Sequence, residues 1–299
     1  MTIGRMAVLQ PFGFLAIEES GIPAPTGYQV AVEMFAATIT PADVALLALS
    51  DEPGWQPLVP GLEGAGVVTA IGEGVTRVAV GDQVVVGTAS GDSATEAGRP
   101  VSTWTTNALV DEHHVAPFPR DIVTDRDSLA LLGATALIAA TLAAQASEEG
   151  AEEPVVVAGD GGLALATIAA LRAASVTTVI ALAPDHVHAA ATAAGASSCL
   201  AVGANLGASG VRRGLDCREG SWPNANALDP ALIWTDARAQ PLDRNRAIAA
   251  LTEWMVAGRF APSIAIGKRY TIEQINEAMM EMEGGRVAGA GLVVMEPLK

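Results

Sequence analysis

The sequence predicts an α/β protein made of a β-barrel or sandwich followed by a parallel α/β layer, and three observations carry that prediction. Residues 64–87, GAGVVTAIGEGVTRVAVGDQVVVG, alternate apolar side chains with glycine-bearing turns, the pattern of compact antiparallel β-structure. Residues 152–175, EEPVVVAGDGGLALATIAALRAAS, give an all-apolar strand, a glycine turn and an Ala-rich helix, the βα unit of a sheet covered on both faces. Between them, from about Asp121, Gly- and Pro-punctuated strands give way to Ala-rich helix. A chain of 299 residues fits two domains better than one.

The elements follow in order. YQVAVEMFAATIT (28–40) reads as a strand and ADVALLAL (42–49) as a short helix capped by Asp43. Ser128–Ser147 carries no charge over a length that could span a bilayer. Its Ala and Thr in place of Leu, Ile and Phe, and its lack of a basic flank, predict a buried helix outside any membrane. After the βα unit, TTVIAL (177–182) is a short buried strand, and PDHVHAAATAAGA (184–196) is a helix with proline in its first turn and glycine at its end. SSCLAV (197–202) supplies a third strand. Residues 203–230 are rich in Gly, Asn and Arg, and RRGLDCREGSWPNAN within them has no apolar run for a central strand, so the α/β rhythm is lost there. ALIWT (231–235) is the next strand and DRNRAIAALTEWMVAGRF (243–260) a helix. Thr271 and Gln274 have capping-box spacing ahead of a helix stopped by Gly284 and Gly285, and AGLVVM (290–295) ends the pattern.

Composition excludes some partners. A net charge of -16, with lysine only at 268 and 299, is unsuited to nucleic acid or an anionic membrane, both of which need clustered cations. Cys199 and Cys217 are too few for a disulfide framework, and MTIGRMAVLQPFGFLAIEE lacks the order of a secretory signal, so a cytoplasmic location is expected.

TPAD at 40–43, VPGLEGAGVV at 59–68, VGDQVVV at 80–86, GATAL at 133–137, GDGGLA at 159–164, GAS at 195–197 and YTIEQINEAMMEMEGG at 270–285 occur in an order and spacing that resembles the medium-chain dehydrogenase/reductase superfamily. Within it, the pattern is similar to the zinc-independent quinone oxidoreductase and enoyl reductase branch. The resemblance implies a GroES-like barrel from residues 1–120 and 259–299 and a shortened, degenerate Rossmann-like domain from 121–258. In the zinc alcohol dehydrogenases of that superfamily a histidine stands where Leu62 stands here and a cysteine where Thr40 stands. Zinc needs thiolate, imidazole or carboxylate ligands, and these two side chains offer none, so no catalytic zinc is expected. Two cysteines also rule out a four-cysteine structural lobe. His113 with His114, and His186 with His188, read as solvated surface.

For a cofactor, Gly159, Gly161 and Gly162 meet the need for close backbone approach to a pyrophosphate, with Ala164 as the third fingerprint position. Ala183 occupies the position that normally selects NAD or NADP, and Asp185 is the only charge near it. The resemblance also implies two apolar strands between Gly195 and Ala231 and an aromatic residue after GAS, and neither feature is recognisable. Two accounts stay open: a trimmed site binding NADPH or NADH through backbone contacts, or a scaffold that holds no dinucleotide.

The resemblance places chemistry in a cleft between the domains, with Thr40 and Thr135 as catalytic candidates and Trp55, Leu62 and Trp104 shaping an apolar pocket. Glu63 is expected to support the cleft through the backbone. The leading expectation is a zinc-independent reductase moving hydride from a nicotinamide cofactor to a small apolar enone, quinone or carbonyl. The Ala-rich, Arg-over-Lys composition is compatible with secondary metabolism. A redox-silent cyclase or isomerase of a polyketide-like ligand, and a non-catalytic binding partner, are the alternatives. The family habit of pairing through the sheet edge implies a homodimer, through an edge that this chain shortens.

Overall fold

The computed structural model describes residues 2–50, 55–87, 101–118, 122, 125–206, 210–219, 228–230 and 232–295. In chain order they form β1 (Thr2–Leu9), β2 (Leu15–Ile22), β3 (Gln29–Ile39), α1 (Pro41–Leu49), β4 (Glu63–Ile71), β5 (Gln83–Gly87), β6 (Asn107–Asp111), β7 (Val115–Pro117), α2 (Ala134–Gly150), β8 (Val155–Ala158), α3 (Gly162–Ala173), β9 (Val179–Leu182), α4 (His188–Ala193), β10 (Ser198–Leu200), β11 (Arg213–Asp216), β12 (Ile233–Asp236), α5 (Arg244–Val256), β13 (Ile266–Thr271), α6 (Ile275–Glu283) and β14 (Ala290–Val294). They divide into two compact units: residues 1–134, 269–283 and 291–299, and residues 135–268 and 284–290.

The first unit is an antiparallel β-structure whose spine is β3. Its sheet runs β13-β14-β3-β4-β5-β7. One edge of β3 pairs with β4 from Val30 to Ala37; the other is shared end to end by β6, at Gln29–Glu33, and β14, at Ala36–Ile39. Alternate residues Val30, Val32 and Met34 point into a core with Val84, Val86 and Trp104, as period-two patterning requires. Hairpin β1-β2 adds Leu9 and Leu15 to it.

The second unit is a five-stranded parallel sheet, order β10-β9-β8-β11-β12. Strands β8 and β9 are buried throughout, which is why their sequences read as unbroken apolar runs. The strand missing from the sequence reading of 203–230 is present as β11, hydrogen-bonded between β8 and β12. It escapes an apolar-run criterion because only its two middle residues, Gly214 and Leu215, are buried. Its ends are charged for other reasons. Arg213 donates to the Ala146 and Gly150 carbonyls at the C-terminus of α2, and Asp216 pairs with Arg218. Gly214 is required where it stands, since a Cβ there would overlap the Trp234 ring on β12. The SWPNAN part of the same stretch lies outside the described residues.

The expected single helix over Ser128–Ser147 is broken at Gly133. Residues 126–132 form a 3-10 segment, buried from Ser128 onward, and α2 begins at Ala134 after a bend of 62°. Among the described residues no single helix is long and apolar enough to cross a membrane. The 3-10 segment packs on β3, β4 and β5, which moves the boundary of the first unit from the expected 120 to 134. Segment 284–290 belongs with the second unit because Gly289 N–H donates to the Asp160 carbonyl.

Candidate functional site

In the first unit the motif residues build one polar cluster. Thr40 is the N-cap of α1, and Asp43 stands at its third position in a capping box. The cap is therefore Thr40, which corrects the assignment of that role to Asp43. Thr40 Oγ1 donates to Asp43 Oδ2 at 2.8 Å and accepts from the Asp43 N–H at 3.3 Å. Asp43, 1% exposed, also accepts from the Gly61 N–H at 3.2 Å. Burial pushes its carboxyl up to about 6, against the pull of those donors. Glu63, 4% exposed, accepts from the Ala134 N–H at 2.9 Å, placing a carboxylate at the start of α2.

Leu62 is half-buried beside this cluster. Trp104 is fully buried in the core, with Nε1 donating to the Thr38 carbonyl at 3.0 Å, so it is a structural residue of the sheet and not the wall of an open pocket. Trp55 packs against the same core, and its buried indole N–H finds no acceptor among the described residues. Thr135 lies on the first turn of α2, half-buried, and its hydroxyl makes no hydrogen bond among the described residues.

In the second unit the glycine turn joins β8 to α3, and close contacts surround it. A Cβ at Gly159 would fall 2.6 Å from the Cys217 carbonyl and 2.7 Å from Ala164 Cβ, and one at Gly162 would fall 2.7 Å from Ala290 Cβ. At Gly161 the neighbour is the carboxylate of Glu219, which fills the space a side chain would take. Glu219 Oε2 accepts from the Leu163 N–H at 3.4 Å, and Oε1 from Arg238 at 2.5 Å. Burial raises the Glu219 carboxyl while Arg238 pulls it back, and burial likewise raises Asp160 in the turn itself. Below the turn, burial pushes the Cys217 thiol up to about 12, so it is no nucleophile.

Ala183, fully buried at the end of β9, donates its N–H to Leu200 and receives the His188 ring on its carbonyl. His188 is thus half-buried and engaged rather than solvated, whereas His186 is exposed. Sequence reasoning missed Glu219 because it looked for an acid after β9. The signal lay in strand register: Asp216 on β11 sits opposite Ala158 on β8, so three residues further each chain reaches Glu219 and Gly161.

Residues 26–120 match the alcohol dehydrogenase GroES-like domain. The chain is 41% identical over 88 residues to an alcohol dehydrogenase of Moraxella sp. (strain TAE123), covering 27% of this chain and 25% of that protein. It is 30% identical over 192 residues to the trans-enoyl reductase grgB of Penicillium sp., covering 62% of this chain and 53% of that one. The matches thus span about half or less of these relatives. Among solved structures, a probable oxidoreductase from Mycobacterium abscessus superposes with TM-score 0.77 at 19% identity, over 98% of this chain and 99% of the other. A short chain alcohol dehydrogenase (rspB) from E. coli CFT073, solved with NADH, gives 0.74 at 17% identity over 98% and 100%. Residues 26–120 thus carry the sequence of the GroES-like domain, and the chain has the fold of these dehydrogenase and oxidoreductase structures.

Dinucleotide-binding parallel sheets with helices on both faces seat the pyrophosphate at the turn after the first strand, on the amides that open the next helix. The turn, the helix and Ala164 are present, and the Glu219 carboxylate lies over Gly161 and accepts from the Leu163 N–H. The backbone fits the group; one side chain occupies its seat. The relatives named above are dehydrogenases and reductases, and they give the cyclase or isomerase reading no support.

Proposed function

We propose that this protein is a reductase of the enoyl and quinone reductase type, taking hydride from NADPH or NADH and delivering it to an apolar enone, quinone or carbonyl. The observation that carries the reading is the anion-accepting turn Gly159–Ala164 at the head of α3, combined with similarity to a trans-enoyl reductase over most of this chain. When bound, the dinucleotide supplies the hydride. The chain's part is to hold it, with Leu163 and neighbouring amides of α3 on the pyrophosphate. Ala183 offers no side-chain partner to the ribose, so backbone contacts dominate.

The reading is zinc-independent on donor chemistry. Leu62 has no ligand atom, and the Thr40 hydroxyl is committed to Asp43. Of the two threonines Thr135 is the better candidate to hydrogen-bond a substrate carbonyl, since Thr40 is already spent as a helix cap. Trp55 brings a half-buried apolar ring whose buried indole N–H has no acceptor among the described residues. Conjugated apolar carbonyls of the kind met in secondary metabolism fit these few polar groups, and the expected assembly is a homodimer.

The test is a titration of the full chain with NADPH and with NADH, followed by tryptophan fluorescence and melting temperature, which must rise if the native state binds. Turnover of an enone with a product two hydrogens heavier supports the reading. No binding at millimolar concentrations of either nucleotide overturns it.

A further inference from the structure

The seat that a phosphate would take at the head of α3 is filled by the chain itself. Glu219 arrives from β11, and its carboxylate lies over Gly161 with Oε2 facing the Leu163 N–H at 3.4 Å. A favourable helix terminus holds an anion through unpaired amides and the axial dipole, and the same interactions cannot serve two anions at once. The carboxylate is held in place from behind: Arg238 donates to Oε1 at 2.5 Å and also to the Arg218 carbonyl at 2.9 Å. Its side chain is only 17% exposed, so it is packed into the seat and not merely passing over it. Asp160 in the turn adds a second negative group, and Arg218 is bound to Asp216.

We propose that Glu219 is a built-in competitor for the pyrophosphate seat, so that a dinucleotide binds only as this carboxylate swings out and leaves Arg238 to the incoming phosphate. The proposal rests on the reductase reading for the identity of the natural ligand, but the occupied seat is a property of this chain. Glu219 sets the affinity of the site. Its withdrawal exposes two things a phosphate uses: the α3 amides and a guanidinium able to make paired bonds to oxyanions.

The experiment compares the full chain with Glu219→Ala and Glu219→Gln, each checked for native circular dichroism. Each is titrated calorimetrically with inorganic pyrophosphate, NADPH and NADH. The alanine variant removes both charge and bulk; the glutamine variant removes the charge but keeps the bulk. The expected result is pyrophosphate binding tightened about tenfold or more in Glu219→Ala, with Glu219→Gln between it and the unaltered chain. Equal pyrophosphate affinity in all three proteins overturns the proposal. If the unaltered chain binds NADPH or NADH as tightly as Glu219→Ala, the competitor role also falls while the reductase reading stands. If Glu219→Ala gains pyrophosphate but no protein binds either nucleotide, the occupied seat stands and the reductase reading falls.

Discussion

Asp43 Oδ1 accepts a 3.2 Å hydrogen bond from the backbone N–H of Gly61, tying the start of α1 to the turn that leads into β4. Two motifs 18 residues apart are thereby joined through one buried carboxylate. Thr40 and Gly61 supply donors for its charge, yet burial outweighs them.

That balance fixes a pH dependence. The folded carboxyl titrates near 6 and the unfolded one near 3.8, so the folded state binds the proton more tightly. The contribution of Asp43 to stability is greatest below the unfolded value and is lost as pH rises through about 6, by a maximum of ~3 kcal/mol. Asp43→Asn does not titrate. Urea denaturation between pH 4 and 7 should therefore show the variant gaining on the unaltered chain as pH rises to 6. A difference that stays flat across that range would refute the assignment.

Glu63 and Gly133 should be coupled. A Cβ at Gly133 would lie 2.9 Å from Glu63 Cδ and Oε2, and Glu63 caps the Ala134 N–H. Gly133→Ala and Glu63→Ala should each destabilise by ~1–2 kcal/mol, the first through crowding and the second through the lost helix-terminal anion. In a double-mutant cycle the alanine at 133 should cost much less once Glu63 is truncated. Strict additivity of the two costs would rule out the contact.

Gly214→Ala tests the strand the sequence concealed. The added methyl meets the Trp234 ring, and thermal melting should report a loss of ~1–3 kcal/mol. Gly203→Ala makes a control with open space around it, although its φ of 86° adds backbone strain. An unchanged melting temperature in Gly214→Ala would mean the ring does not cover β11.

The two threonines should separate by readout. Thr40→Val removes a helix cap and should lower stability by ~1 kcal/mol. Thr135→Val breaks no hydrogen bond among the described residues, so its melting temperature should hold while kcat for enone reduction falls. Loss of kcat on Thr40→Val alone would exchange their roles.

Much of the architecture was legible because it rests on side-chain periodicity. Alternation along β3 and the apolar runs of β8 and β9 follow from one-faced and two-faced burial, which composition records directly. The capping box at Thr271 and Gln274 was legible too, because capping is local: Thr271 N–H donates to Gln274 Oε1 at 3.0 Å. At α1 the same chemistry was assigned to the wrong partner, since Thr40 and Asp43 bond reciprocally and spacing alone does not say which residue is the cap.

The sequence by itself determined the order of the elements, the glycine turn and the lack of a thiolate, imidazole or carboxylate at Thr40 and Leu62, because each depends on residue type or near neighbours. Tertiary structure decided which strand lies beside β8, and through that register it brought Glu219 across 58 residues to Gly161. Parallel pairing joins segments remote in the chain, and its backbone hydrogen bonds leave no trace in side-chain composition. The occupant of the phosphate seat was therefore invisible until the sheet was assembled.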